Sequence, residues 1–130
     1  MRVANNSVSG ALFELSGSVA NNATWQETVY FMQEGSPMVL TGLSFKMTFR
    51  CNGDSTSADY TLSTDDGTLS IVADADSGIA NNLYINVAAG SLSGLLGDYI
   101  ADLASQDVAD VVTLWAHGAV TFAPNPVSFT

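Results

Sequence analysis

Between Leu43 and Arg50 apolar and polar residues alternate without a break: Leu43, Phe45, Met47 and Phe49 take every second place, with Ser44, Lys46, Thr48 and Arg50 between them. On an extended chain successive side chains point to opposite faces, so this order makes one apolar face and one polar face. Wound into a helix, the same apolar groups would spread around the whole cylinder and share no face. The segment therefore requires a strand with one side buried, and the rest of the chain must supply the layer that covers it.

Other segments read the same way. Thr24–Met32 is rich in aromatic and β-branched residues, and Gly35-Ser36-Pro37 separates it from the alternating strand as a turn. Cys51-Asn52-Gly53-Asp54 supplies turn chemistry, after which Ala58–Thr64 places Tyr60 and Leu62 on one face. Asp65-Asp66-Gly67 is a hairpin signal, because Asp-Gly tolerates positive φ. Thr68–Ala73 carries Leu69 and Ile71 inward, and Asn82–Ala88 carries Leu83, Ile85 and Val87. Val111–Phe122 reads as a long closing strand. Its even positions, from Val112 and Leu114 to Phe122, are expected in the core, and its odd positions, Trp115 and His117 among them, outside. Pro124 and Pro126 limit pairing beyond it, and Val127–Phe129 can add a short edge segment.

The stretch Gly90–Asp110 carries Leu92, Leu95, Leu96, Tyr99, Ile100 and Leu103 at helix-like spacing, but Gly94 and Gly97 weaken a helix there. A short helical turn near Leu92–Leu96, followed by a strand with Tyr99 and Leu103 inward, fits better. About eight strands separated by turn signals predict an all-β fold, a two-sheet antiparallel β-sandwich. It is expected to be Ig-like or jelly-roll-like, with at most one short helical turn. Residues 25–130 form its single domain. Residues 1–24 form an N-terminal arm in which Ala11–Leu15 can add an edge strand.

Charge narrows the partners. Of 130 residues only 12% are charged, against roughly 25% in an average globular domain, and the net charge is −10. Arg2, Lys46 and Arg50 are the only cations, and Glu14, Glu27 and Glu34 balance them within the first fifty residues. The whole net charge therefore comes from the aspartates that follow. Nucleic acid is excluded as a partner, since tracking phosphates needs clustered Lys or Arg. Adhesion to an anionic membrane is excluded for the same reason, and no apolar run is long enough for membrane insertion. No signal peptide is expected, because no basic segment precedes an apolar one at the start of the chain. Apolar residues make up 47% of the chain, too many for a disordered one. Cys51 is the single cysteine, so neither an intrachain disulfide nor a cysteine zinc cluster can form. The surface is left to Ser, Thr, Asn and Gly, which protect less well against association than charge does.

Catalytic patterns are absent. Gly90-Ser-Leu-Ser-Gly94 misplaces the serine of a nucleophile elbow, and no H-E-x-x-H, P-loop or G-x-G-x-x-G occurs. Cys51 reads as an inert, half-buried thiol with no histidine or basic cluster near it in sequence. Asp98 and Asp102 share one strand and identify no glycosidase pair. Asp74 and Asp76 resemble the start of a calcium loop, but Ile85 stands where an EF-hand needs Glu. They remain weak metal candidates, and solvated turn acids are the plainer reading. No enzyme and no cofactor is expected. Binding features are stronger: Trp115 and His117 on an outer face, Trp25 at a strand start, and Tyr84 facing outward. Aromatic anchors of this kind are enriched in interfaces. With Arg2, Val3, Leu12 and Phe13 of the arm, these make the interface candidates.

The order of short motifs adds a resemblance. Glu34-Gly-Ser-Pro-Met-Val-Leu-Thr-Gly42 precedes the alternating strand ending in Arg50. Gly67-Thr-Leu-Ser-Ile71, Gly97-Asp-Tyr-Ile-Ala-Asp-Leu103 and Gly118-Ala-Val-Thr-Phe122 follow. Over residues 25–130 this resembles the N-terminal domain of BppU-type baseplate upper proteins and related small tail proteins of bacteriophages. Val39 departs from a position that is usually Asp in that pattern, and the long C-terminal extension of such proteins has no counterpart. The resemblance implies a compact β-sandwich serving as a virion building block. Pro37 and Gly42 would shape turns, and Tyr99 and Leu103 would pack the core. It further implies an adaptor or decorating subunit of a tail tip or baseplate, made in the bacterial host cytoplasm and located in the virion. Such a subunit acts as a homo-oligomer docked to other virion proteins. The alternative is a carbohydrate-binding or host-adhesion module, with Trp115, Tyr84 or Trp25 stacking on a cell-surface glycan.

Overall fold

The computed structural model describes residues 2–3, 13–33, 35–51 and 58–124. The strands in chain order are β1 (Arg2–Val3), β2 (Phe13–Ala20), β3 (Trp25–Gln33), β4 (Ser36–Pro37) and β5 (Ser44–Arg50). They continue with β6 (Tyr60–Ser63), β7 (Leu69–Val72), β8 (Asn82–Val87), β9 (Gly97–Gln106) and β10 (Val112–Ala123). No helix occurs among the described residues. Leu12 and Val127–Phe129 lie outside them.

Two sheets form. One runs β1-β3-β8-β7, with β4 paired to β3, and the other runs β2-β10-β9-β5-β6. They meet through aromatic rings. Phe31 of the first sheet touches Phe45 and Trp115 of the second, each at 5.4 Å between ring centroids. Trp25 lies 6.0 Å from Phe49 and 6.4 Å from Phe122. Tilted and edge-on pairs of this kind each add about 0.5–1.5 kcal/mol beyond the area they bury. The alternation of β5 is realised as predicted: Phe45, Met47 and Phe49 are buried, and Ser44 and Lys46 are exposed. Leu83, Ile85 and Val87 of β8 are buried, as are Tyr99 and Leu103 of β9.

The sheets are mixed rather than antiparallel. β1 runs parallel to β3, and β2 runs parallel to β10 from Phe13↔Ala116 to Ala20↔Ala123. Hairpin connections impose antiparallel pairing, but these partners are far apart in sequence and their direction is free. Residues 13–20 are thus an edge strand of the second sheet, longer and later than Ala11–Leu15. Its end is pinned by Asn21, whose backbone N–H donates to the Ala123 carbonyl at 3.0 Å. The buried side-chain Nδ2 of Asn21 donates to the Leu95 carbonyl at 2.7 Å.

Three local expectations fail for identifiable reasons. The helical turn near Leu92–Leu96 is instead a chain of tight turns, with N–H to carbonyl bonds Ser91 to Ala88, Ser93 to Gly90 and Leu95 to Leu92. Gly90 at φ 91° and Gly97 at φ 93° bound it, and the segment between these two reversals is too short to build successive helical turns. Asp65-Asp66-Gly67 does make a tight turn, with Gly67 at φ 82°, but it joins strands of different sheets and closes no hairpin. Ser63 and Thr68 hold that crossing: the Ser63 N–H donates to Thr68 Oγ1 at 2.9 Å, and Ser63 Oγ accepts from the N–H of Asp65.

The third failure is in β10. Its pairing with β9 steps from Leu114↔Ala104 directly to Ala116↔Leu103, so Trp115 is an extra residue, a β-bulge. Beyond it Ala116, Val120 and Phe122 are buried as expected. Before it the faces are reversed. Trp115 turns inward, 9% exposed, while Leu114 and Val112 turn outward at 42% and 66%.

Candidate functional site

The bulge gives the outer face of the second sheet its character. Cross-strand rows on this face are set by register: Thr48, Asp102 and His117 in one, and Lys46, Ala104 and Leu114 in another. Asp102 is the hub of the first row. Its Oδ2 lies 2.8 Å from Arg50 Nη2 and its Oδ1 lies 2.5 Å from His117 Nδ1. Two rows further, Thr121 Oγ1 donates to Asp98 Oδ1 at 2.6 Å. A carboxylate paired with imidazole can orient a general base. Here the imidazole stands on an open sheet, 54% exposed, and the same carboxylate is shared with a guanidinium. That arrangement fixes side chains on a surface and builds no enclosed site.

The second row makes a groove. Ala104 has only a methyl group between the long Lys46 stem and Leu114. Ser44, Lys46, Ala104, Ser105, Gln106 and Val112 line a depression of about 120 Å³. Lys46 is exposed and forms no ion pair with any described residue. At the end of the groove the β9–β10 hairpin turns through Asp107–Val111. Asp107 Oδ1 accepts the backbone N–H groups of Ala109 at 2.8 Å and Val111 at 3.0 Å, and Asp110 adopts φ 62°. The tip presents Val108 at 92% and Val111 at 57% exposure. With Val112 and Leu114 they form a run of aliphatic side chains open to solvent, the sort of patch that marks an interaction surface.

The interface candidates scatter. Trp115 is a core residue, because the bulge rotates it under the sheet, where its indole N–H donates to Ser105 Oγ at 2.8 Å. It can anchor neither a partner nor a sugar. Trp25 is half-buried against Phe49 and Phe122. Tyr84 is half-buried on the outer face of the first sheet, paired across to Thr28 and Ser70. His117 faces outward as expected. Arg2 and Val3 pair through their backbone with Tyr30 and Phe31, and Phe13 pairs with Ala116.

Of the metal candidates, Asp74 is a turn cap and Asp76 is one of the residues it caps. Asp74 Oδ2 accepts the N–H of Ser77 at 2.9 Å and of Asp76 at 3.2 Å. The Ser77 bonds in particular hold the Asp74 carboxyl below the ordinary carboxylate range. No three His, Cys, Asp or Glu side chains come together as metal ligands among the described residues. Cys51 is exposed rather than half-buried. The hydrogen bond and negative charge of Asp59 push its thiol pKa up, so it stays protonated.

Sequence reasoning missed the groove and the aliphatic run because strict alternation was carried through Trp115. A signal was present: Val111, Val112, Leu114, Trp115 and Ala116 are apolar on both parities, which one-sided alternation cannot produce. No protein-family model and no curated protein matches the chain.

Proposed function

We propose that the protein is a structural subunit of a bacteriophage particle, an adaptor or decorating subunit at a tail tip or baseplate. It works by self-association and by docking to larger virion proteins. The observation that carries the docking role is the exposed pair Val112 and Leu114 beside Lys46 on the outer face of the second sheet, continued at the hairpin tip by the exposed Val108 and Val111. Only 12% of residues are charged, and the Ser, Thr, Asn and Gly that fill the rest of the surface guard less well against association. The phage setting is supported by the order of motifs from Glu34 to Phe122. The two-sheet architecture suits an Ig-like or jelly-roll-like sandwich, whose rigid faces serve as building surfaces. No catalytic step belongs to this reading, since the Asp102 pair is engaged by Arg50 on an open face.

A carbohydrate-binding module is the second reading. Tyr30, 42% exposed, and Tyr84 favour it as diagonal neighbours on the outer face of the first sheet. The tryptophans weigh against it, one buried and one packed on the core.

Light scattering on size-exclusion fractions, with antibody labelling of particles from the source, tests the first reading. Concentration-dependent self-association and labelled particles are expected. A monomer at every concentration that labels no particle would overturn it. Binding on a glycan array that is lost in Tyr30→Ala would favour the second.

A further inference from the structure

The docking face has a groove, and the chain itself carries a segment that fits it. The groove has an aliphatic wall in Val112, with Leu114 next to it across from Ala104, and a cationic wall, Lys46 on its methylene stem. Its floor is low because Ala104 fills the row with a methyl group. An occupant needs a small aliphatic side chain for the floor and a carboxylate within reach of Lys46. The β9–β10 hairpin has both: Val108 at 92% exposure, and the exposed Asp110, whose carboxylate accepts from Gln106 Nε2 at 3.4 Å.

We propose that two copies of this chain dock reciprocally, the hairpin of each copy seating Val108 over Ala104 of the other with Asp110 against Lys46. The inference rests on the self-association reading and names its contact. Position supports reciprocity. The hairpin continues β9 and β10, the strands of Ala104 and Val112, and Val108 stands in the turn just beyond Gln106, where β9 ends, so tip and groove are neighbours. A two-fold axis beside Gln106 therefore carries each tip onto the opposite groove, a self-complementary contact that closes on itself.

Charge supports a second copy on this face. Each copy carries −10, so two copies repel over most orientations. Lys46 lies on the outer side of β5 and forms no ion pair with a described residue, whereas Arg50 on the same side is already held by Asp102. Here Asp110 meets Lys46, and unlike charges brought together set orientation and register. The hairpin is also pre-shaped. Asp107 holds its turn by accepting from Ala109 and Val111, so little ordering is needed on docking.

Sedimentation equilibrium of the full chain and its variants tests this contact. Val108→Asp and Lys46→Glu should each raise the dimer dissociation constant about tenfold or more, the usual scale for losing an interface anchor. Both positions are exposed, so the thermal transition should not move at protein concentrations where all of them are monomers. The charge exchange Lys46→Glu with Asp110→Lys should recover most of the loss in Lys46→Glu. If the wild-type chain dimerises and Val108→Asp and Lys46→Glu dimerise equally well, this contact is wrong and the self-association reading stands. If the wild-type chain remains a monomer, both fall.

Discussion

The indole N–H of Trp115 donates to Ser105 Oγ at 2.8 Å in the layer between the sheets, and it is the bulge that brings them together. Ser105 is only 4% exposed. Removing the donor leaves a buried hydroxyl without its partner, at a cost of about 1–3 kcal/mol. Trp115→Phe should therefore destabilise the chain by about that much, although it keeps an aromatic ring. Trp115→Ala should lose about 3–5 kcal/mol, because it also opens a cavity against Phe31. Urea unfolding of the three proteins measures both. A Trp115→Phe variant as stable as the parent would mean that the bond contributes nothing.

The same bulge predicts an unusual contrast between neighbours. Leu114 stands outside at 42% exposure, one residue from a buried tryptophan. Leu114→Ala should cost less than about 1 kcal/mol, whereas a buried leucine such as Leu103 should cost about 2–5 kcal/mol on the same change. Comparable losses at the two positions would place Leu114 in the core and rule out the bulged register.

Why some of this was legible in the sequence and some was not follows from what periodicity encodes. Alternation records which face of a strand is buried, and it predicted the inward residues of β5 and β8. It carries no information about an inserted residue, so the faces were assigned wrongly from Val112 to Trp115. Turn chemistry behaves similarly. Asp65-Asp66-Gly67 signals a reversal, but whether the next strand stays in the sheet depends on the Ser63–Thr68 contacts that open the crossing. The docking groove was hidden for a third reason. It needs Lys46, Ala104 and Leu114 in one row, and they belong to strands brought together only by register.

Asp102 joins Arg50 and His117 on the outer face, with the Arg50 and Asp102 side chains 23% and 19% exposed. Pairs so near solvent are worth little. Asp102→Ala should cost about 1 kcal/mol, and an Arg50→Ala, Asp102→Ala cycle should give a coupling of about 0.2–1 kcal/mol. Added salt should reduce the coupling. A coupling of several kcal/mol, insensitive to salt, would mean that this row is covered in solution.

Acid should weaken the fold through its turns. The hydroxyl and backbone N–H of Thr68 hold the Asp66 carboxyl below the ordinary range, at 2.6 Å and 2.9 Å. Asp74 is lowered in the same sense by Ser77. A carboxyl with a lower pKa folded than unfolded contributes stability above its unfolded value, about 3.9. That contribution is lost as pH falls through the folded value. The melting temperature should therefore change little from these groups between about pH 7 and 5, then fall below about pH 4. Asp66→Ala with Asp74→Ala should melt lower at neutral pH and fall less steeply in acid. Parallel profiles for the two proteins would show that these caps do not couple to folding.

Cys51 offers a chemical check on the same electrostatics. Its thiol is exposed, yet the Asp59 carboxylate, which accepts the Cys51 N–H at 2.7 Å, pushes the thiol pKa up. Only the thiolate reacts readily with an alkylating reagent, so labelling at mildly alkaline pH should be slower than for a free cysteine peptide. Asp59→Asn removes the charge and should speed labelling, with its pH midpoint moving down. Burial cannot mimic this result, since the thiol is accessible in both proteins. If Asp59→Asn labels at the parent's rate across the pH range, the carboxylate does not control Cys51.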